Sequence, residues 1–599
     1  MKLMQNIQIK FQGLIQASKR YPLTVAFLLA IAGLNAYLIQ READDYTRYL
    51  YSFLVGVFLS VVAQHLYERF FEKNFHRVVL MVGSLLLTVL YFYTIGSSPD
   101  YDLEMNVKTG IIFFALSFAF MWIPTIKSVI TFNESFLSAF KAFFTTLLFT
   151  IVLYAGIGFI ILAIDQLLFS VGYKVNLHSF NLIGSLFTPI FFLSCTPFYL
   201  SKQDETTKTP EEQAAKQGQI KNEVAVPKVL ELLISYIVIP LTAIFTVILL
   251  VYLLQNITGD FWTNNLLEPM LVSYSITVIV VYILSSNIET KSAVIFRKLF
   301  PKVLVPIVLF QTISSVLRIQ ETGLTHGRYY VILFGLFTII AGIIFSIMPI
   351  RKNGWVAVVL IVLALISIVP PVDAFTVSRV SQTNLLEETL KNNQMLEGNS
   401  ITPNAEISKE DKIKISQTVN YLTSMNYNKE IEWLVPYNQQ LSYQFEEVFG
   451  FQPIYDETGF TNGQPTQDYY YATLDWAGNP IISIEDYDKM FVFSYYNLTD
   501  LEAVDFEVEN SNYTVQSKEE EGKTTLVLTD KEDQALISID LQETMEQVAA
   551  TTETENMLTI DEATVTTENE QVEMSLVFTS IDIYDNQYNG EFYLFIDIK

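Results

Sequence analysis

A chain of 599 residues, 51% of them apolar, with a formal charge of −26, is long enough for more than one folded body and too acidic to hold nucleic acid by charge. The acidity is unevenly shared: residues 1–374 carry 26 Lys or Arg against 21 Asp or Glu, and residues 375–599 carry 11 against 42. A single cysteine, Cys195, excludes a disulfide framework, and the isolated histidines His65, His76, His178 and His326 lack zinc-ligand spacing.

In residues 1–20, Lys2, Lys10, Lys19 and Arg20 are interspersed with Met4, Ile7, Ile9, Phe11, Leu14 and Ile15. That spacing predicts an amphipathic cytoplasmic helix lying on the inner leaflet, and no small-residue cleavage site ends the apolar run that follows. Apolar stretches of membrane-spanning length then recur at 22–39, 49–66, 78–96, 110–126, 142–164, 181–200, 229–254, 266–285, 303–318, 329–348 and 355–372. The ninth is short and interrupted by Pro306, Gln311, Ser314 and Ser315, which predicts a tilted, broken or buried segment. Loops between the spans alternate in charge. With the N-terminus inside, the inner segments hold 20 Lys or Arg and the outer loops only Arg41, Arg48, Lys108, Lys174, Arg318 and Arg328. Retention of basic loops during insertion therefore predicts a cytoplasmic N-terminus and an extracytoplasmic tail. Residues 201–227 are polar and nearly free of aromatics, which predicts a flexible cytoplasmic loop between six spans and five.

Past Pro370-Pro371, Leu385, Leu386, Thr389, Leu390 and Met395 suggest a juxtamembrane helix, and Ser408 with Asp411 suggests an N-cap ahead of Ile413, Val419 and Leu422. Another helix is expected at 438–449. From about 468 the pattern turns to strands in YYYATL, MFVFSYY, TTLVLT, ALISID, MSLVFTSIDIY and EFYLFIDI, with Asn589-Gly590 as a hairpin turn joining the last two. The expected fold is an α-helical polytopic membrane bundle of about 11 transmembrane helices over 21–374, followed by a soluble, acidic α+β domain over 375–599, helical at 381–450 and β-rich at 465–599.

Candidate sites are few. Asp165, Glu231, Glu268 and Arg318 sit near the ends of spans, within reach of an interface, and Asn35, Gln64 and Gln311 suit helix packing. Asp165, Glu231, Gln311 and Arg318 are the ligand-binding candidates of the membrane part. Pro124, Pro189, Pro197, Pro240 and Pro306 fall in or near spans, where kinks can line a cavity. Glu42, Asp44 and Asp45 after the first span resemble the first-external-loop carboxylates of lipid-linked glycosyltransferases and are the catalytic candidates, in a loop of about ten residues that leaves no room for the loop helices of that class. In the tail, Asp486 and Asp488 are the metal candidates, without the glycine and closing glutamate of an EF-hand, and Tyr469, Tyr470, Tyr471, Trp476, Tyr495 and Tyr496 form a candidate sugar- or peptide-binding face. The sequence carries no cofactor motif.

KRYPLTVAFLL at the first span, VSRVSQTNLLEETLKNNQMLEGNSI after the last and ISKEDKIKISQTVNYL beyond it resemble a bacterial family of multi-pass membrane proteins of unknown function, DUF4153. The resemblance covers the layout up to about residue 455. It implies a helical membrane domain with an external tail and brings no activity or functional residues. Two readings of function follow. One is a non-enzymatic protein of the bacterial cytoplasmic membrane whose acidic tail binds or senses a cell-envelope protein, peptide or polymer. The other is a transporter or permease, with a lipid-linked transferase third.

Overall fold

Twenty helical residues rise about 30 Å, the depth of a bilayer's hydrocarbon. The computed structural model describes residues 12–41, 46–94, 103–256, 267–438, 441, 444–454, 469–476, 481–485, 487–496, 503–520, 523–551, 557–584 and 587–599. They fall into two compact units, Met1–Tyr455 and Asp456–Lys599.

In the first unit, α1 at 12–20 is followed by α2 (Pro22–Arg41), α3 (Thr47–Phe70), α4 (Asn74–Thr94), α5 (Leu103–Trp122) and α6 (Phe132–Leu167). Then come α7 (Tyr173–Leu182) and α8 (Thr188–Ser194), joined by the π-helical segment Ile183–Phe187, and the short α9 (Lys202–Thr207) and α10 (Pro210–Glu223). A second π-helical segment, Ile234–Val238, joins α11 (Lys228–Leu233) to α12 (Ile239–Asn256). α13 (Leu267–Leu284), α14 (Lys291–Leu317), α15 (Ile319–Thr322), α16 (His326–Ile347) and α17 (Gly354–Ile366) complete the apolar part. Each of the eleven expected spans overlaps at least one of these helices. Among the described residues, eight helical stretches are long and apolar enough to cross a membrane, and the chain is a multi-pass membrane protein.

The other three differ for visible reasons. α13 is a shorter apolar helix, α17 has 13 residues, and the expected ninth span is the end of the 27-residue α14, whose first half carries Lys291, Arg297, Lys298 and Lys302. α14 is buried along Phe296, Leu304, Ile307, Val308, Gln311 and Ser315 and lies against α16. The approach is close because Gly342 has no side chain: a Cβ there would stand 2.7 Å from Val305 Cγ2 and 3.2 Å from the Pro301 carbonyl oxygen. Both π-helical segments precede a proline, Pro189 and Pro240, by two residues. A proline removes one donor and crowds the preceding turn, and a widened turn absorbs both effects.

Residues 1–11 of the expected amphipathic helix lie outside the described residues; α1 packs inward, with Ala17 and the following Tyr21 buried. The expected flexible loop at 201–227 is instead folded as α9 and α10. Capping boxes at Ser201/Asp204 and Thr209/Glu212 open the two helices. Asp204 reaches Lys208 at 2.8 Å and Lys216 at 2.6 Å, and Arg69 of α3 reaches Glu205 at 3.0 Å. The segment has no core of its own and borrows one, burying Ile220 and Val224 against Ile130.

α18 (Ala374–Asn392) begins on Asp373, whose carboxylate accepts from the Phe375 and Thr376 amides, and α19 (Lys409–Ser424) begins on Ser408, which accepts from Asp411. Between them lies the small hairpin β1 (Leu396–Glu397) and β2 (Ser400–Ile401). Of the helix expected at 438–449, residues 439–440 and 442–443 lie outside the described residues, and the rest includes α20 (Phe445–Phe449), after a 3-10 turn at Val435–Tyr437. Leu386, Leu390, Leu422, Trp433 and Phe449 form a core here, so the first unit extends to 455, past the change in charge at 374/375.

The second unit is built on two sheets. One joins β4 (Lys489–Tyr496), β12 (Gln587–Ile598), β11 (Val572–Tyr584), β3 (Tyr469–Leu474) and β9 (Met557–Leu558) in that order, with β10 (Thr564–Glu568) also on β11. The other runs β5 (Val504–Val508), β6 (Ser511–Glu520), β7 (Lys523–Asp530) and β8 (Ala535–Asp540), with α21 (Leu541–Thr551) and α22 (Ile560–Ala563) following. Val515, Leu526 and Leu528 meet Phe578, Phe592 and Leu594 in a shared core. The six expected strands are present. Asn589-Gly590, however, is not the turn: it lies within β12, pairing with Asp582 and Ile581, and the ladder closes at Tyr584 and Gln587. Gly590 serves packing instead, since a Cβ would stand 3.0 Å from the Ser580 carbonyl oxygen and 2.9 Å from Met545 Cε on α21.

Candidate functional site

Three polar constellations stand out, two in the first unit and one in the second. The first joins α1, α3 and α4. Arg20 is 7% exposed and meets Glu68 with two parallel bonds, Nε to Oε1 at 2.8 Å and Nη2 to Oε2 at 2.6 Å. A charge so far from water requires such a partner, and the two-bond geometry is the strongest available. Gln64 donates to Glu68 at 2.8 Å and accepts from Arg77 at 2.9 Å, while Arg77 also donates to the Arg20 carbonyl oxygen at 2.8 Å. Beside them, His65 uses both ring nitrogens. Nδ1 lies 3.1 Å from the Phe120 carbonyl oxygen and so carries the proton, leaving Nε2, 2.8 Å away, to accept from the Tyr21 hydroxyl. This closed network ties four helices together.

The second cluster lies further along α5, twelve residues or about 18 Å from Phe120. Lys108 bridges Glu104 at 2.6 Å and the fully buried Asp373 at 3.1 Å. Burial pushes the Asp373 carboxyl up, but the Thr376 bonds and the Lys108 ammonium outweigh it and hold it below the usual carboxylate range. Nearby, His326 Nδ1 is 2.9 Å from the Tyr421 hydroxyl, which donates to Ser378 at 3.0 Å, and the His326 ring stacks on Phe375. These contacts fasten α18 and α19 to α5 and α16.

The third is an open sheet face. Paired residues share a side, so register alone aligns Tyr471, Asp582 and Asn589 in one row across β3, β11 and β12. Thr473, Ser580, Glu591 and Ser494 form the next row. Alternate residues Ala472, Ile581 and Phe592 are buried on the opposite side, whereas Tyr471, Ser494 and Glu591 are exposed. Asp582 Oδ1 is buried without a hydrogen-bond partner, and burial pushes its carboxyl above the ordinary aspartate value. An aromatic ring beside an acceptor with spare capacity suits a ligand that offers a flat apolar surface and hydroxyl or amide donors.

The sequence-derived candidates are dispersed. Glu42, Asp44, Asp45 and Asp486 lie outside the described residues. Asp165 is exposed and accepts from the Val171 amide at 2.6 Å, and Glu231 is half-buried in α11. Gln311, Ser315 and Arg318 share the buried stripe of α14, and Ser315 donates to Glu268. Asp488 joins β4 to β12, accepting from the Ile598 amide at 3.0 Å. Among the described residues no group of three or more His, Cys, Asp or Glu is placed to hold a metal ion. Arg20, His65 and Glu68 escaped sequence reading as a group; the one available signal was a glutamate directly before Arg69 at the end of an apolar run.

Across the face of the bundle, Leu241, Thr242 and Phe245 of α12 and Pro269, Ser273, Tyr274 and Thr277 of α13 line a groove of about 440 Å³. No curated protein matches the chain, and no solved structure does. A family profile does match, over residues 23–400, from the second residue of α2 to the start of β2, and the chain belongs to that family, described as a domain of unknown function, DUF4153.

Proposed function

We propose that this chain is a protein of the bacterial cytoplasmic membrane, with its N-terminus in the cytosol, that carries its acidic region outside and uses the open sheet face to bind a cell-envelope polymer, peptide or protein without catalysing a reaction. The row Tyr471, Asp582 and Asn589 carries this reading, because a buried carboxylate oxygen with no partner is expensive unless something supplies one. Two observations from the sequence support the orientation: the inner segments hold the basic residues and the tail holds the acids; the eleven expected spans, an odd number, agree with it. A reporter fused after Lys599 that matures only outside the cytosol is expected to be active; activity of a cytosol-only reporter overturns the orientation. Binding is read by retention of the full detergent-solubilised chain on isolated cell-wall polymer, with Asp582→Asn expected to release it.

A permease is the second reading, favoured by the groove between α12 and α13, whose hydroxyls Thr242, Ser273, Tyr274 and Thr277 interrupt an apolar lining beside a π-helical turn. Uptake of solute by vesicles containing the purified chain, abolished by Ser273→Leu, is the result that would favour it.

A further inference from the structure

The outer strands of the second unit are not alike. An edge strand offers unpaired backbone donors and acceptors, and soluble proteins blunt such edges with charge, irregularity or shortness. In the sheet of β5 to β8, one edge, β5, places Asp505 and Glu507 in solvent, and the other, β8, meets β7 with a register shift and ends in Asp540. In the larger sheet, β9 has two residues and β10 has five, ending in Glu568. β4 is the least protected, with a single charge, Lys489, at its first residue. It spans eight residues at the end of the described strand order, and from Met490 to Tyr496 it carries no charge. Val492 is 70% exposed and Met490 48%, and Ile484, just before the strand, is also exposed. Apolar side chains left in water along a nearly uncharged edge are an interface or a hazard.

We infer that β4 pairs with β4 of a second copy of this chain, antiparallel about a two-fold axis, so that the two larger sheets become one. Charge points to the second copy. The region after 374 repels itself strongly, and the uncharged run 490–496 is where two copies can approach without opposing carboxylates. Antiparallel pairing keeps the two Lys489 residues, the strand's lone charges, at opposite ends. Such an interface is self-complementary, and confinement to one membrane raises the effective concentration of the second copy.

The test uses the full chain in its membrane with the one native thiol removed by Cys195→Ser. Val492→Cys is treated with a short bis-maleimide, with Glu507→Cys on β5 as the control. The expected result is an adduct of twice the chain mass, about tenfold more abundant for Val492→Cys than for Glu507→Cys. In detergent, Val492→Lys is expected to halve the particle mass by light scattering while leaving the circular dichroism unchanged. Equal cross-linking of the two cysteine variants overturns the pairing, as does an adduct whose mass shows a different protein.

Discussion

The network around Arg20 and the row around Asp582 solve opposite problems with the same kinds of atom. In the bundle, Arg20, Glu68, Gln64, His65 and Arg77 are turned inward and answer one another. On the sheet, Asp582 stands at an open face with an oxygen unanswered. Polar groups that satisfy each other hold a structure together, and polar groups left with spare capacity are what a ligand can reward. The contrast separates polar groups that build from one that keeps bonding capacity to spare.

The most severe way to break the contrast is Glu68→Ala, which strands the Arg20 guanidinium away from water. A loss of about 3–5 kcal/mol is expected, seen as a lowered melting temperature of the detergent-solubilised chain, and the double replacement Arg20→Met with Glu68→Met should recover much of it. Asp373→Ala removes two amide bonds at the start of α18 and the partner of Lys108, at about 1–3 kcal/mol. Faster amide exchange across 374–392 would report it.

Acid should move the two regions in opposite directions. Burial raises the Asp204 carboxyl, but the ammonium groups of Lys208 and Lys216 and the Ser201 bonds depress it well below its unfolded value. Its contribution is therefore present above about pH 4 and is lost as pH falls further. Asp582 is raised by burial, so its ionised form costs stability at neutral pH and protonation on acidification relieves that cost. Amide exchange compared between neutral and acidic buffer should show 202–223 losing protection while β11 near Asp582 gains it. The smallest effect on stability is expected for Asp582→Asn, within about 0.5 kcal/mol or slightly favourable, even as ligand retention falls. A large destabilisation by Asp582→Asn would return that residue to the builders.

What could be read in the sequence was whatever a short window contains. Apolar runs, the Ser408 cap and alternating strands such as ALISID need only their neighbours. Arg20 and Glu68 are 48 residues apart, and nothing local announces their bond. The segment 201–227 looked coreless because Ile220 and Val224 spend their apolar surface on Ile130 rather than on each other. Asn589-Gly590 has turn chemistry, yet the pairing of β12 with β11, which brings the Ser580 carbonyl oxygen to 3.0 Å from where a Cβ of residue 590 would stand, places it inside a strand. β5 and β6 escaped because VDFEV and SNYTVQSKEE bury few apolar side chains.

The order of the larger sheet also carries a kinetic consequence. β12 lies between β4 and β11, so a strand synthesised early in this unit has no neighbour until residues 587–598 have left the ribosome. The strands β5 to β8, consecutive in the chain, can pair as they emerge, so β4 stays unzipped after that sheet has formed and until β12 reaches it.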